Sequence, residues 1–326
     1  MIDNISKPLA SISLDLDNLW SYLKTHGDLG WESFPSYLDT FVPLVLDVLD
    51  ELGLKITFFV VGQDAALEKN HDVIRLIVEK GHEVGNHSFN HEPWLHLYPK
   101  DQIKTEILQT EQYIQKITGQ KPVGFRGPGF SWSPQLLEVL VENGYVFDAS
   151  TLPTYIGPLA RAYYFLKSDL SAQDKEKRNK LFGGFSDGLK PIKPYYLQLM
   201  SNEKIMEIPV TTLPVFKTPF HLSYLVYLSS YSKLLMLFYL ELALQMCRTF
   251  KTGLSFLLHP LDLLGRDNVR ELGFFPGMNF DSAEKQRIFL QVMKRLLTRF
   301  RLTNMSTFAD FISHNSGLKT RKCPSA

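Results

Sequence analysis

Ser11-Ile12-Ser13-Leu14-Asp15-Leu16-Asp17 alternates polar and apolar side chains and ends in two carboxylates two residues apart. A period of two is the signature of a strand. Asp15 and Asp17 then project from the same face of its C-terminal end. Two carboxylates so placed repel unless a proton or cation lies between them. Outward from this stretch the chain alternates. Residues 37–52 carry apolar side chains at helical spacing and stop at Gly53; residues 55–61 form a β-branched and aromatic run that predicts a buried strand. Residues 64–80 predict a helix, 82–86 a strand, 99–117 a helix, 123–125 a strand, 134–143 a helix and 145–148 a strand. After an irregular stretch at 151–204, a strand is expected at 205–211 and a long apolar helix at 222–250. A strand at 254–258, a helix at 282–299 and a last strand at 302–307 complete the series.

Repeated strand–helix units imply an α/β fold with a parallel sheet and right-handed crossovers. Seven or eight units favour a closed or nearly closed (β/α) barrel over an open sheet, which periodicity alone does not separate. The 326 residues read as one domain, 1–326, a length that single barrels reach. Composition excludes several classes. A net charge of +1 gives no pull toward nucleic acid. Cys247 and Cys323 suggest neither a disulfide framework nor a cysteine zinc site. With no secretory signal in the opening residues, a cytoplasmic location is expected. The apolar run 222–246 suits a bilayer in length, but Lys233 and Glu241 interrupt it. A buried or amphipathic helix is the plainer reading, and peripheral contact with a membrane surface the functional one. The basic-rich stretch 167–193 reads as a solvated loop or a phosphate contact.

Three further motifs follow predicted strands. Asn86-His87-Ser88-Phe89-Asn90-His91 is expected to set both imidazoles on one side of a helical turn, a spacing suited to one divalent cation. Phe125-Arg126-Gly127-Pro128-Gly129 offers an Arg that can grip a carboxylate and glycines that allow close backbone approach. Leu257-Leu258-His259-Pro260 ends an apolar strand in a histidine placed for acid–base work. Each alone reads equally well as a turn, an exposed cluster or a satisfied histidine. Their common position at strand C-termini, where barrels and open α/β sheets carry their sites, changes that balance.

In this order the motifs resemble the polysaccharide deacetylase superfamily (carbohydrate esterase family four, with the chitin, chitooligosaccharide and peptidoglycan deacetylases). The resemblance spans about residues 11–151, 207–212 and 253–260. It implies a distorted barrel of about seven parallel strands. It also implies a divalent cation, zinc first with cobalt, manganese or nickel as alternatives, and a metal-dependent hydrolase that removes an acetyl or formyl group from an aminosugar. Carried over, Asp15 is the base, Asp17, His87 and His91 are the metal ligands, and Arg126 orients the base. Gly129 faces the oxyanion, Leu257 walls the pocket and His259 is the general acid. Asp148 is a weaker match to the carboxylate that supports the acid. The Asp-Leu-Asp spacing departs from the usual adjacent pair. That spacing and Glu207-Ile208-Pro209-Val210-Thr211-Thr212 are similar to an intracellular branch acting on lipid-linked aminosugars. His221 and Trp94 are further candidates for substrate contact, as a second imidazole and a stacking surface. The competing readings are an allantoinase-like amidohydrolase, a sugar-binding module with a dead site, and a membrane-associated structural protein.

Overall fold

A computed structural model describes residues 7–157, 184–315 and 317–323. Its strands are β1 (Leu9–Leu16), β2 (Thr57–Val60), β3 (Glu83–Asn86), β4 (Gly124–Phe125), β5 (Phe147–Asp148), β6 (Tyr195–Gln198), β7 (Lys204–Glu207), β8 (Leu254–Leu258), β9 (Arg301–Thr303) and β10 (Thr320–Lys322). The described α-helices are α1 (Leu19–His26), α2 (Leu38–Glu51), α3 (Gly62–Ala66), α4 (His71–Glu79), α5 (Lys100–Thr118), α6 (Pro134–Glu142), α7 (Leu222–Ser229), α8 (Lys233–Thr249), α9 (Ser282–Arg299) and α10 (Met305–Asn315).

The strands make one sheet in the order β10-β6-β7-β5-β4-β3-β2-β1-β8, with β9 sharing the β2 side of β1. Every pairing is parallel except β6 with β7. The ladder is open between β7 and β8, and Thr211, just past β7, bridges the gap. Its N–H donates to Ser255 O at 3.0 Å, and the Ser255 N–H donates to Thr211 Oγ1 at 2.7 Å. β1, β2, β3, β4, β5, β7 and β8 thus form a mostly parallel, incompletely closed distorted barrel. β6 and β10 extend the sheet beyond β7.

Register partners in neighbouring strands point to the same side. Asp15 pairs with Phe59 and Phe59 with Gly85, which places these three on the barrel interior. Asn86, Phe125, Asp148 and Glu207 pair in series and face the outer helices, where the Asn86 amide donates to Ile107 O of α5. Gly124 has no side chain for a packing reason: a Cβ there would lie 2.1 Å from the Phe147 ring. α10 packs its first turn into the interior, where Met305 N–H donates to Thr57 Oγ1 at 2.8 Å and its sulfur lies 3.7 Å from Arg126 Nη2.

Four expectations need correction. The irregular stretch 151–204 contains β6, whose Tyr195 and Leu197 pack into a buried cluster; residues 158–183, with most of the basic-rich stretch 167–193, lie outside the described residues. The helix expected at 222–250 is two, broken at Ser230–Ser232, where the Ser232 hydroxyl accepts the Leu235 N–H and caps α8. The helix expected at 64–80 is likewise divided into α3 and α4 by a 3₁₀ turn at Glu68–Asn70. The strand expected at 302–307 stops at Thr303, and Met305 opens a helix whose apolar side enters the barrel.

Candidate active site

The ends of β1, β3, β4 and β8 carry the candidate residues to the C-terminal mouth of the barrel. Asp15 occupies the penultimate position of β1 and Asp17 follows the strand; both are buried. Tyr37 donates its hydroxyl to the Asp17 carbonyl at 2.5 Å and pins the chain there.

His87 and His91 do not lie on a helical turn as expected. The segment after β3 is a loop with Ser88 and His91 in the left-handed region, at φ 59° and 51°. Such conformations are uncommon for side-chain-bearing residues and concentrate at functional sites. Glu106 of α5 holds this loop by accepting the Phe89 and Asn90 N–H groups at 2.9 and 2.8 Å. The folded loop brings His91 Nε2 to 2.9 Å and His87 Nε2 to 3.3 Å from Asp17 Oδ1. The donor atoms of Asp17, His87 and His91 all lie within 4.8 Å of one another. His87 Nδ1 sits 2.6 Å from the Arg126 carbonyl, an acceptor, so Nδ1 carries the hydrogen and Nε2 presents a lone pair toward Asp17. Burial disfavours the ionised Asp17 carboxyl, but the facing imidazoles of His91 and His87 outweigh it and hold the group well below the usual carboxylate range. Two imidazoles and a carboxylate gathered in a buried pocket match the donor set of a divalent cation site with open positions. These residues fit a metal.

Asp15 is gripped from below. Arg126, fully buried, donates from Nη1 to Asp15 Oδ1 at 2.6 Å and to Ser13 Oγ at 2.8 Å, and from Nε to Ala149 O at 3.1 Å. Its guanidinium carbon lies 4.4 Å from the Phe59 ring centroid. The next residue, Gly127, donates its N–H to Ser150 Oγ at 2.7 Å. Gly129 adopts φ 69° against Pro93, a conformation that suits glycine.

His259 Nε2 stands 3.9 Å from the other Asp15 oxygen, Oδ2. Leu257 pairs with Ser13 and therefore shares the interior face. His221, buried at the N-terminal end of α7, brings its ring centroid to 6.0 Å from that of His259. Burial and the adjacent His259 push its pKa down to about 3, which keeps it neutral.

Asp148 does not join these residues. Strand alternation turns Phe147 and Ala149 inward and Asp148 outward, where it accepts the Ser150 hydroxyl and neighbours Glu207. Burial raises the pKa of both carboxyls, Glu207 well above its ordinary value, with Asp148 adding to the Glu207 shift. Trp94 is half-buried beside a 3₁₀ turn at Leu95–Leu97, three residues past His91.

Sequence reasoning missed Glu106, Ser150, Ser223 and Asp262. Asp262 was detectable, since it stands three residues after His259 and accepts the His259 N–H at 2.8 Å. Ser223, whose Oγ lies 3.1 Å from His259 Nδ1, comes from a distant helix and carries no local signal.

Residues 28–147 match the polysaccharide deacetylase family model. A peptidoglycan-N-acetylglucosamine deacetylase of Bacillus cereus is 34% identical over 88 residues, 27% of this chain and 31% of that protein. A peptidoglycan deacetylase of Helicobacter pylori is 25% identical over 197 residues, 56% of this chain and 64% of that one. The chain thus spans under two thirds of the length of these curated relatives. Among solved structures, a Mycobacterium smegmatis protein assigned to the polysaccharide deacetylases aligns at a TM-score of 0.59 and 18% identity over 98% of both chains. An allantoinase aligns at 0.56 and 15% identity over 94% of this chain and 91% of its own. These two likenesses concern the fold. The family match and the deacetylase relatives make the stretch at residues 28–147 similar to the polysaccharide deacetylases.

Proposed function

We propose that the protein is a metal-dependent amide hydrolase that removes an acetyl or formyl group from the nitrogen of an aminosugar. The observation that carries this reading is the convergence of Asp17, His87 and His91 beside the Arg126-bound Asp15 and the rim histidine His259. A sugar-binding module needs no such set. A divalent cation, zinc on the two-imidazole, one-carboxylate donor set, would polarise the acyl carbonyl and acidify a nucleophilic water.

The chain's own residues supply the rest. Asp15, fixed by Arg126, takes the proton of the attacking water. The N–H of Gly129 donates to the acyl oxygen as negative charge develops there. His259 protonates the leaving amine, and Leu257 walls the acyl pocket. His221 stays neutral and hydrogen-bonds the substrate.

The test is metal content together with acetate and formate release from N-acylated aminosugars, in wild type and in His87→Ala/His91→Ala. About one divalent ion per chain, lost with all acyl release in the variant, supports the reading and names the acyl group. A wild-type protein that binds no divalent ion after reconstitution refutes it.

A second observation bears on where the substrate is met. Leu234, Leu235, Phe238 and Leu242 recur at helical spacing along α8 and are exposed, as is Tyr231 in the turn before it, and residues 222–240 contain no acid. The Lys233–Glu284 ion pair sets the start of α8 beside the first turn of α9, on the side of the barrel mouth. No helix among the described residues is long and apolar enough to cross a membrane. We propose that this face rests on an anionic membrane surface and gives the mouth access to a lipid-linked aminosugar. The free cysteines suit the cytoplasmic side. Co-sedimentation with anionic vesicles, abolished by Leu234→Glu/Phe238→Glu, is expected; equal recovery with and without vesicles refutes this element.

A further inference from the structure

Ser88, Phe89 and Asn90 join the two histidines of the metal-ligand loop, and their backbone belongs to neither helix nor strand. Each of their N–H and C=O groups nevertheless has a partner. The Ser88 N–H donates to Asn86 Oδ1 at 2.9 Å. The Ser88 and Phe89 carbonyls accept the Gly62 and Gln63 N–H groups of α3, both at 2.9 Å, and the Asn90 carbonyl accepts Lys24 Nζ of α1 at 2.8 Å. The two N–H groups that remain, those of Phe89 and Asn90, both donate to Glu106 Oε2, while Glu106 Oε1 accepts the Asn90 side-chain amide at 2.5 Å. Glu106 stands on α5 and is buried.

The conformation held in this way is not one that the loop's own residues favour. Ser88 and His91 lie in the left-handed region, where an L side chain crowds its own carbonyl, and neither is a glycine. The Ser88 hydroxyl has no hydrogen-bond partner among the described residues, so its side chain does not hold the turn. Without Glu106 the Phe89 and Asn90 N–H groups lose their acceptor, and the chain must rearrange to find another. A return of Ser88 or His91 to negative φ re-aims the His91 ring, whose Nε2 lies 2.9 Å from Asp17 Oδ1.

We propose that Glu106 is a positioning residue for the metal site. By accepting both N–H groups it keeps the loop in its left-handed form before a cation arrives, with His87 and His91 already gathered on Asp17. The proposal rests on the reading of Asp17, His87 and His91 as cation ligands. A site that is competent only part of the time binds more weakly in proportion to that fraction.

The experiment measures cobalt(II) affinity by chelator competition in wild type, Glu106→Gln, Glu106→Leu and Glu106→Leu/Ser88→Gly, with the visible absorption of the bound ion reporting its ligand geometry. Glutamine still presents an oxygen to both N–H groups, so affinity within about threefold of wild type is expected. Leucine presents none, and binding about 10- to 100-fold weaker is expected. Glycine at position 88 takes positive φ freely and removes no hydrogen bond, so it should recover at least about threefold of that loss. Amide hydrogen exchange on the metal-free wild type needs no variant to fold, and the Phe89 and Asn90 amides should be protected. Unprotected amides, Glu106→Leu binding as tightly as wild type, Glu106→Gln binding as weakly as Glu106→Leu, or no recovery with glycine each overturns the proposal. A wild type that takes up no cobalt(II) sinks the metal reading and this proposal together, whereas binding that Glu106→Leu leaves intact sinks the proposal alone.

Discussion

Arg126→Met tests the strongest electrostatic element of the site. The substitution keeps the apolar stem of the side chain, as far as the position of Nε, and removes every donor. Three contacts are lost at once, to Asp15 Oδ1 at 2.6 Å, Ser13 Oγ at 2.8 Å and Ala149 O at 3.1 Å, and the Asp15 carboxylate stays behind with 3% of its side chain exposed. Removing one partner of a buried ion pair costs about 3–5 kcal/mol, mostly from the charge left unpaired. In a chain of this size each kcal/mol lowers Tm by roughly 2 °C, so a drop of about 6–10 °C is expected. If the unpaired charge is the cause, adding Asp15→Asn should recover part of the loss, about 1–4 kcal/mol, because the double variant buries no charge at this position. The assay is urea unfolding of the four proteins in a double-mutant cycle. A cost below about 1 kcal/mol for Arg126→Met, or costs that simply add in the double variant, would refute the account of Asp15 as a carboxylate held by Arg126.

Other outcomes follow from single contacts. Asp64, whose Oδ1 accepts from Asn18 and Trp20 and whose other oxygen has no partner among the described residues, is pushed up to about 7 by burial. A raised carboxyl binds its proton in the folded state first, so this group's contribution falls as pH rises from the unfolded value, about 4, through 7. Asp64→Asn should therefore be near neutral at pH 4 and more stable than wild type at pH 8, by at most about 4 kcal/mol, read from Tm against pH. Gly124→Ala should cost about 1–3 kcal/mol in urea unfolding, because the new methyl group overlaps the Phe147 ring. Ser150→Ala removes the acceptor of the Gly127 N–H, and kcat should fall with metal content unchanged, as measured on the reconstituted protein.

The barrel was legible because its strands are short, apolar and regularly separated by helices with glycine stops, as at Gly53, Gly81 and Gly144. Asp15, Asp17, His87, Arg126 and His259 stand out as candidates in the sequence because each sits at or next to the end of a strand, where the fold collects chemistry, and His91 because of its spacing from His87. The error over the His87–His91 loop has a clear cause. A four-residue spacing suggests a helix, whereas the left-handed Ser88 and His91 are imposed by Glu106, a contact from α5 that no local pattern announces. Asp148 was misplaced by strand parity: one step along β5 separates the interior from the helix-facing side. α8 read as one helix with α7 because Ser230 and Ser232 are tolerated in helices, and only the capping bond to Leu235 marks the break.

The position of β1 in the sheet governs how the chain is made. Its partners β8 and β9 lie at residues 254–258 and 301–303, so the strand bearing Asp15 has only β2 to pair with until most of the polypeptide has been synthesised. Contacts of such long sequence separation are slow to form and leave an apolar strand edge open meanwhile. A nascent chain arrested near residue 250 would hold helices α1 to α8 and the β2–β3–β4–β5 run with one side of β1 bare, a species for chaperones to shield. Segments ending before β8 would consequently be poor candidates for autonomous folding, even though they contain Asp17, His87 and His91.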